Sequence, residues 1–512
     1  MQQRVLLATF LSIIVFIVYD FIFLPDRATT PSSSVASTEQ SQHSVSRESA
    51  PASVAAAPAN TRPVIAKIAT PEAVFEIDSL GRIAQVTLHN SKLAGAGGSA
   101  LPLFKGDAPR PLEIRFIDPI LNEEAYKVAY KASTSQLVVG PGGSGEVVLT
   151  QDLNGTTITK RLTFYADGHY DLKMSVSSAE RYYMALGGRP DVLADALTFH
   201  GIVLANTDDK VTMIDDGDQK SDEPFAGMRL LGASDRYYAN LFFNKEGGLK
   251  GLVSRDTNDN PLIYLDGLKE MAFIGYIGPK EVARVAAIDP KLTDIVEYGF
   301  FTFIAKPIFA GLAWIEREVG NWGWAIVVMT IIIRLVLFPL TYRGMVSMSK
   351  IKELAPKLQE IREKYKGDPQ KLNIHVMELY QKHKVNPLGG CLPILLQIPI
   401  FFAIYRVLLN AIELKGAPWI FWIDDLSAMD PYFILPILMG LTMYIQQKIT
   451  PTSFTDPMQE KVFMWLPVIF TFFFVTFPAG LTLYWFVNNL FSIVQQYGIN
   501  KMMERQKKRS GA

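Results

Sequence analysis

Six apolar stretches, most of them bounded by charged, aromatic or proline residues, stand out from an otherwise mixed chain. They cover residues 5–24, 321–343, 392–412, 432–447, 462–477 and 481–497. A membrane-spanning helix needs about 20 mainly apolar residues, and these stretches approach or reach that length. The pattern predicts a polytopic α-helical membrane protein with six spans, the last five of which form a core within residues 321–500.

The first stretch is predicted to be a transmembrane anchor within residues 1–27. A cleaved signal peptide is the alternative, but its apolar core would be shorter and a small-x-small site would follow. Pro25-Asp26-Arg27 follows instead. The next segment, residues 28–61, is rich in Ser, Ala, Thr and Pro, a composition typical of a flexible linker.

Alternation of apolar and polar residues dominates residues 62–299 and predicts short β-strands. Asn154-Gly155 separates two alternating runs, which is a strong signal for a β-hairpin. Few stretches have helical periodicity, so the expected architecture is a large antiparallel β-sandwich. The strands expected around the clearest turns cover residues 73–77, 83–88, 146–153, 156–164 and 169–176.

Residues 300–320 follow the predicted β domain and have apolar residues at helical spacing. Ile304, Ile308, Leu312 and Ile315 form the apolar stripe, with charged residues elsewhere. This pattern predicts an amphipathic helix lying in the membrane interface, with Pro307 in its first turn. A plain linker helix is the alternative.

A basic segment, residues 344–386, separates the first core span from the second. Two apolar stripes at helical spacing flank the breaker Lys366-Gly367-Asp368-Pro369, which predicts an antiparallel helical hairpin outside the membrane. The first stripe comprises Met348, Ile351, Leu354, Leu358 and Ile361, and the second Leu372, Val376, Leu379 and Tyr380. The candidate contact residues of the hairpin are Lys350, Lys352, Lys357, Arg362 and Lys364.

Basic residues also mark the end of the chain. The tail, residues 501–512, carries Lys501, Arg505, Lys507, Lys508 and Arg509. Because basic loops stay in the cytoplasm, the hairpin, the tail and both termini are predicted to be cytoplasmic. Residues 28–299 are then periplasmic.

One charge, Arg334, lies in the middle of the first core span. It is ten residues from Trp324 and nine from Arg343, so at about 1.5 Å per residue it sits about 15 Å from either interface. A bare arginine there costs at least ~2.5 kcal/mol. Acidic residues between positions 330 and 496 all fall in predicted loops or at span edges. A water-filled cavity around Arg334 is therefore favoured over an ion pair with Asp20 of the first span.

Polar side chains recur in the last five spans and are candidates for lining this cavity. Each alone is more typical of a hydrogen bond between helices. Together with Arg334 they predict one polar groove. They are Thr330, Gln397, Thr442, Gln446, Thr482, Asn488, Asn489, Ser492 and Gln495.

The amino-acid composition limits the class of protein and the kinds of functional site that this chain can contain. The 512 residues carry no formal net charge and 49% are hydrophobic, which favours a membrane protein. The one cysteine, Cys391, excludes an intrachain disulfide and a cysteine-cluster metal site. The predicted β domain has no nucleophile elbow, phosphate loop or metal-ligand spacing. Asp235-Arg236-Tyr237-Tyr238 is expected on the surface or in a loop, and neither enzymatic activity nor a cofactor is predicted.

Several motifs resemble those of the YidC membrane-protein insertases. They are KVNPLGGCLPILLQIPIFFAIYRVL at residues 384–408, the preceding IIIRLVLFPLTYR, DPYFILPILMGLTMYIQQK at 430–448 and FPAGLTLYWFVNNLFSIVQQ at 477–496. Their order and spacing match over about residues 300–508. In the β domain the resemblance rests on position and strand pattern.

The resemblance implies a protein of the bacterial inner membrane that inserts and helps to fold membrane proteins, alone or with the Sec translocon. The family's groove opens to the cytoplasm and to lipid. Its arginine corresponds to Arg334 and its threonine to Thr330. A position that is often tyrosine in the family is Trp485 here, next to Tyr484, and the predicted groove adds Gln397 and Asn488. The implied partners are nascent membrane proteins, the Sec translocon with its accessory subunits, the ribosome, the signal recognition particle receptor and the lipid bilayer.

Two functions of other classes remain as alternatives. A membrane transporter would show inverted repeats or broken half-helices in matching halves, and the sequence shows no such halves. A membrane-anchored periplasmic module for carbohydrate binding or epimerisation would leave the polar groove and the basic hairpin unexplained.

Overall fold

The computed structural model describes residues 62–89, 100–192, 198–296, 298–383, 392–450 and 457–509. The described residues up to Val296 form one compact unit, the sheet unit, and those from Tyr298 form a second, the helical unit. The predicted anchor and linker, with Asp20, lie outside the described residues, as does Cys391.

The sheet unit contains eighteen strands, two α-helices and a 3-10 helix over Pro290–Ile295. The strands are β1 (Val64–Ala69), β2 (Ala73–Asp78), β3 (Ile83–Leu88), β4 (Leu101–Pro102), β5 (Ile114–Phe116), β6 (Lys131–Ala132), β7 (Gln136–Val138), β8 (Ser144–Leu153), β9 (Thr156–Tyr165), β10 (His169–Val176), β11 (Tyr182–Ala185), β12 (Gly201–Asn206), β13 (Val211–Asp215), β14 (Glu223–Ser234), β15 (Tyr238–Phe243), β16 (Leu249–Arg255), β17 (Pro261–Asp266) and β18 (Glu270–Pro279). The helices are α1 (Pro119–Lys127) and α2 (Val282–Ile288).

These strands form two sheets. The smaller has the order β4-β3-β2-β1-β7, and the larger runs β5-β11-β17-β16-β14-β15-β18-β10-β9-β8-β6, with β12 and β13 added beside β14. Fully buried Phe75 on β2 contacts fully buried Phe164 on β9, with ring centroids 5.0 Å apart, so the two sheets pack against each other. The prediction of an entirely antiparallel sandwich is wrong at one place, because β7 pairs with β1 in parallel.

The predicted hairpins are confirmed. Leu153 pairs with Thr156 across the two-residue turn Asn154-Gly155, and Gly155 has a φ of 81°. Glycine adopts this left-handed conformation without a steric penalty, which explains the sequence signal. The pairing of β2 with β3 and that of β9 with β10 are confirmed in the same way.

A buried network of charged side chains lies within the sheet unit. Arg82, which is not exposed at all, donates from Nε to Asp78 at 2.8 Å and from Nη1 to Glu113 at 2.7 Å. Arg115 also donates to Glu113, at 2.7 Å. Burial by itself lowers the pKa of Arg82, but the two carboxylates raise it overall, so the guanidinium stays charged.

Lys160 on β9 is fully buried beside this network. Its ammonium donates to the carbonyls of Gly81 at 2.9 Å and Leu112 at 2.8 Å, and lies 4.6 Å from the centroid of the Tyr130 ring. Burial lowers the pKa of Lys160 to about 7 even though Asp78 acts to raise it. The lysine therefore links strand β9 to two loop carbonyls in the interior.

Asp235-Arg236-Tyr237-Tyr238 was expected on the surface or in a loop; the first three residues do lie in the loop between β14 and β15, but the expectation of a surface position is wrong. Asp235 and Tyr238 are fully buried, and Tyr237 and Arg236 are 2% and 8% exposed. The Asp235 carboxylate accepts hydrogen bonds from the backbone amides of Tyr237 and Tyr238, so it organises the turn between β14 and β15. A buried carboxylate that is satisfied by backbone amides has a structural role.

The helical unit contains eight described helices. They are α3 (Thr302–Val319), α4 (Trp322–Glu353), α5 (Ala355–Lys364), α6 (Pro369–Lys382), α7 (Leu392–Asn410), α8 (Ile434–Ile449), α9 (Pro457–Phe474) and α10 (Ala479–Arg509). Two described segments are long and apolar enough to cross a membrane, Gly299–Val319 and Trp322–Ile351, and two shorter apolar segments are Gln397–Asn410 and Lys461–Phe474. Helices α4, α7, α8, α9 and α10 occupy the five predicted core spans, and α4 and α10 extend well beyond them.

Helix α3 departs from its prediction in two details. It begins at Thr302, after a 3-10 turn over Gly299–Phe301, so Pro307 falls in the second turn and not in the first. Its buried residues are Ala305, Phe309, Leu312 and Ile315, whereas Ile304 and Ile308 are half-buried. The buried stripe is therefore rotated by about one residue from the predicted one.

The predicted helical hairpin is confirmed as α5 and α6. Residues of the two predicted stripes meet in one buried cluster of Ile351, Leu354, Leu358 and Tyr380, with Val376 and Leu379 against it. Asp368 caps α6 by accepting from the Lys371 amide at 3.1 Å. The first arm differs from the prediction, because α4 continues from the span to Glu353 before the chain turns.

Candidate functional site

Arg334 lies in α4 and its side chain points to α10. Its Nε donates a hydrogen bond of 2.7 Å to Oδ1 of Asn488, and the residue is only 8% exposed. Asn488 is 6% exposed. A carboxamide oxygen stabilises a guanidinium through its dipole but leaves the positive charge uncancelled. This is the kind of solvation that the absence of a nearby acid predicts.

Asp20, the alternative partner of Arg334, lies outside the described residues. A second charge, Arg406, also lies within a predicted span and was not among the predicted site residues. Arg406 is half-buried and lies one turn before the end of α7 at Asn410. Its position near a helix end allows a long side chain to reach the interface.

Four predicted groove hydroxyls bond within their own helices and not between helices. Thr330 donates to Ile326 O at 2.6 Å, and Ser492 donates to Asn488 O at 2.8 Å. Thr482 and Thr442 likewise donate to carbonyls three or four residues earlier. The expectation of interhelical hydrogen bonds is therefore wrong for these residues. A hydroxyl in a helix reaches the carbonyl of the preceding turn without needing a neighbouring helix.

Amide side chains make the described polar contacts between helices. Besides Asn488, Gln447 of α8 donates to Phe463 O of α9 at 2.8 Å, and Asn500 of α10 donates to Ile449 O at 3.4 Å. Neither Gln447 nor Asn500 was predicted as a contact. The available signal was chemical, because a primary amide is longer than a hydroxyl and reaches a neighbouring helix more easily.

These anchors orient the polar residues of α10. Asn488 bonds to α4, and Ser492 and Gln495 follow it at helical spacing, so these three share the side that faces α4. Asn500 bonds to the end of α8, so the side that it shares with Asn489 faces α8. Both Asn489 Nδ2 and Gln495 Oε1 are buried without a hydrogen-bond partner among the described residues. Such groups are costly in hydrocarbon unless water reaches them.

Thr330 and Tyr484 lie beside a small cavity one turn from Arg334. Its other lining side chains are apolar and come from α3, α4 and α7. Tyr484 is 3% exposed. The cavity is therefore almost entirely apolar, and the two hydroxyl-bearing residues are its polar exceptions.

Trp485 sits in an aromatic cluster between α7 and α9. Its ring contacts Phe401 of α7 edge-on at 4.8 Å, and Phe474 and Phe470 of α9 at 5.2 and 6.1 Å. Gln397, one turn before Phe401, is half-buried. The six predicted groove residues thus fall into three groups. Arg334 and Asn488 bond to each other, and Thr330 and Tyr484 line the cavity. Trp485 contacts α7, the helix on which Gln397 lies.

The predicted basic contact residues are exposed where they are described. This holds for Lys350, Lys357, Arg362, Lys364, Lys501 and Arg505. The side chains of Lys352, Lys507, Lys508 and Arg509 lie outside the described part. Exposed cations of this kind remain available to a polyanionic partner.

Two family models match the chain. The model described as 60Kd inner membrane protein matches residues 314–507, and the model described as YidC periplasmic domain matches residues 230–310. The first covers α4 to α10 and includes both Arg334 and Asn488. The second covers the end of β14 to β18, with α2 and the first half of α3.

Full-length relatives agree with these matches. A membrane protein insertase YidC of Campylobacter jejuni is 50% identical, with 100% of this chain and 98% of the relative covered. One of Wolinella succinogenes is 51% identical, with 100% and 97% covered. A crystal structure of an active YidC insertase covers 96% of this chain and 99% of that chain at 18% identity, with a TM-score of 0.38, too low for comparing the arrangement of elements. Since about half of all positions are identical over the whole length, the chain belongs to the YidC family of membrane protein insertases.

Proposed function

We propose that this protein inserts and helps to fold membrane proteins in the bacterial inner membrane, alone or with the Sec translocon. The main structural support for this proposal is the environment of Arg334. Arg334 is buried in an apolar helix and bonds to the neutral amide of Asn488, so its positive charge stays available. The relatives that match this chain over its whole length are named membrane protein insertases, which supports the same function.

The proposed mechanism is a shortened path across hydrocarbon. A polar segment of a substrate loses its hydration when it crosses the bilayer, which costs several kcal/mol for each unsatisfied group. A hydrated groove that reaches Arg334 removes part of that path. The arginine attracts acidic residues of the crossing segment, and Thr330, Gln397, Tyr484 and Trp485 line the route. The substrate's apolar segment then leaves sideways into lipid, where its transfer is favourable.

The proposed topology has six spans, with both termini in the cytoplasm. Residues 28–299 are periplasmic under this proposal, and the exposed cations of the hairpin and tail support a cytoplasmic position for both. Protease added to intact spheroplasts should cut the β domain and leave residues 501–509 uncut. Cleavage of the tail from outside would contradict this topology. The proposed domains are the anchor 1–27, linker 28–61, β domain 62–299, interfacial helix 300–320, core 321–500 with hairpin 344–386, and tail 501–512.

The proposed partners on the cytoplasmic side are the ribosome and the signal recognition particle receptor. The tail prolongs α10, which runs as one helix to Arg509. Ribosomal RNA is a polyanion, so binding through the tail should weaken steeply as salt rises. Ribosome co-sedimentation that stays the same after neutralisation of Lys501 and Arg505 at low salt would argue against this contact.

Reconstitution tests the function directly. The purified protein in vesicles of inner-membrane lipids, with no translocon present, should insert a small single-span substrate so that its tail becomes protected from protease. Vesicles with the Arg334→Glu variant at equal protein level are the matched control. The same vesicles loaded with a small solute should retain it, which separates insertion from transport. Insertion no faster than into protein-free vesicles would refute the proposal.

A further inference from the structure

Two phenylalanines in the segment between α7 and α8 hold a backbone conformation that suits glycine. Phe421 has a φ of 54° and Phe433 a φ of 58°. A bulky side chain is rarely found at such a positive φ, because its Cβ crowds the following carbonyl oxygen. The protein therefore keeps two aromatic rings at positions where glycine or asparagine would fold with less strain.

Packing within the chain does not account for these two rings. Leu112 is the third apolar side chain at positive φ among the described residues, and it is fully buried. Phe421, in contrast, is 86% exposed and Phe433 is 45% exposed. A strained residue that is buried is stabilised by its contacts, whereas a strained and exposed ring gains little from its own chain. The interaction that offsets the strain is then expected outside the chain.

The two rings belong to one exposed surface, here called the aromatic surface, which also contains Trp422 and Tyr432. The rings of Phe421 and Trp422 stack with their centroids 5.9 Å apart. Buried Asp430 joins the two halves, since its carboxylate accepts from Trp422 Nε1 at 2.9 Å and from the Tyr432 amide at 3.0 Å. The Phe433 amide donates to the carbonyl oxygen of Asp430 at 3.2 Å. The aromatic surface is therefore held in one arrangement by its own hydrogen bonds.

Both ends of the aromatic surface lie where a predicted span begins. Phe433 directly precedes α8, which begins at Ile434. Trp419, two residues before Phe421, places its ring edge-on to that of Trp324 at 5.8 Å, and Trp324 belongs to the first turn of α4. Aromatic side chains are enriched where the hydrocarbon of a bilayer meets the lipid headgroups. Position and residue type therefore favour phospholipid as the occupant of this surface.

We propose that the aromatic surface binds phospholipid of the outer leaflet, with the rings of Phe421 and Phe433 among the first carbons of the acyl chains. This contact sets the depth at which the outer ends of α4 and α8 sit in the bilayer. The inference goes beyond the proposed function and rests on the proposed topology, in which this segment faces the periplasm. Asp424 is exposed and charged, so its part of the segment stays in water or among the headgroups.

The test measures the depth of a fluorescent probe beside the aromatic surface. Met429→Cys in a Cys391→Ser background carries the probe, since Met429 is exposed and directly precedes Asp430. The full-length protein is reconstituted in right-side-out vesicles of phosphatidylethanolamine and phosphatidylglycerol. Quenching by a lipid with a spin label near the start of its acyl chain is compared with quenching by a water-soluble cobalt complex added outside. The ratio of the two reports the depth of the probe.

Phe421→Asn and Phe433→Asn remove the rings and keep the backbone, because asparagine adopts a positive φ more readily than phenylalanine. Asp424→Asn is the matched control, since it places the same amide at an exposed position of the same segment. The ratio of lipid to aqueous quenching should fall on the order of fivefold when both phenylalanines are replaced, and less in each single variant, because each ring buries apolar area in lipid. Asp424→Asn should leave the ratio unchanged.

Equal ratios in all the variants, or a probe that only the aqueous complex quenches, would overturn the proposal. The aromatic surface would then lie in water, where a protein partner and not lipid covers it. If the chain with both phenylalanines replaced is not recovered folded, the two single variants against Asp424→Asn decide.

A second probe, at Asp424→Cys, separates this proposal from the topology on which it rests. If the external complex quenches that probe only after the vesicles are opened, the topology and the proposal fail together. If the complex quenches it from outside and the ratios at Met429→Cys do not differ between the variants, the lipid contact alone fails.

Discussion

Replacing Arg334 by glutamate is expected to give the slowest insertion among substitutions at this site, chiefly for substrates whose crossing tail carries Asp or Glu. The substitution turns attraction into repulsion at the position where the tail must pass. Arg334→Leu should slow the same substrates by about tenfold, since one favourable charge contact of ~1.4 kcal/mol corresponds to that factor. Arg334→Lys should be mild, because an ammonium is also positive and easily hydrated. The measurement is the insertion rate of acidic-tailed and neutral-tailed substrates.

The bond to Asn488 explains why Arg334→Leu should still fold. The partner is a neutral amide, so removing the guanidinium leaves no buried charge uncompensated. Arg343→Leu is the matched control, because Arg343 lies on the same helix but is exposed. It should insert both tails at the normal rate.

If Arg334 formed an ion pair with Asp20, the substitutions would be expected to lower protein stability and not only the insertion rate. Arg334→Leu would then be unstable, and Asp20→Asn would restore its level. That rescue, or equal slowing of acidic and neutral tails, would refute the role of Arg334 in the groove.

Replacing Arg82 by methionine is expected to be the most destabilising change in the sheet unit. Arg82 lies between the carboxylates of Asp78 and Glu113 and forms an ion pair with each of them. All three side chains are buried. Breaking a buried ion pair costs about 3–5 kcal/mol, and the lower end applies here, because Arg115 still pairs with Glu113 and backbone amides still bond to Asp78. The measurement is the free energy of unfolding from hydrogen exchange of β2 and β9 amides in the full-length protein.

Arg161→Met is the matched control for that experiment. Arg161 lies on β9 next to Lys160, and it pairs with Glu146, but both side chains are more than two-fifths exposed. Exposed pairs contribute about 0–1 kcal/mol. A loss in Arg82→Met as small as that in Arg161→Met would show that the buried network contributes little to stability.

Features with a local cause were predictable from sequence. The hairpin at Asn154-Gly155 follows from two residues, and the antiparallel α5–α6 hairpin from two stripes and a breaker. The lack of an acid in the predicted core spans indicated that the partner of Arg334 would be a neutral group. In the two hairpins the signal and the structure lie within one element or its neighbour, whereas the identity of the Arg334 partner, Asn488 on α10, was not given by any local signal.

Features that depend on distant segments were not predictable. The burial of Asp235 requires the strands around it, and the parallel pairing of β7 with β1 joins segments far apart in sequence. The cross-helix bonds of Gln447 and Asn500 depend on which faces of α8, α9 and α10 meet. Periodicity assigns a residue to a face, but the neighbour of that face is set by packing in three dimensions.

Helices α4 and α10 are long continuous helices that pack against each other and share the buried bond between Arg334 and Asn488. Each continues past the Arg334–Asn488 bond without a break, to Glu353 and to Arg509. At ~1.5 Å per residue, the arms reach about 28 Å from Arg334 to Glu353 and about 32 Å from Asn488 to Arg509. Because the arms are of similar length, their far ends both lie about 30 Å along a helix from this buried bond, and basic residues occur along the outer part of each arm.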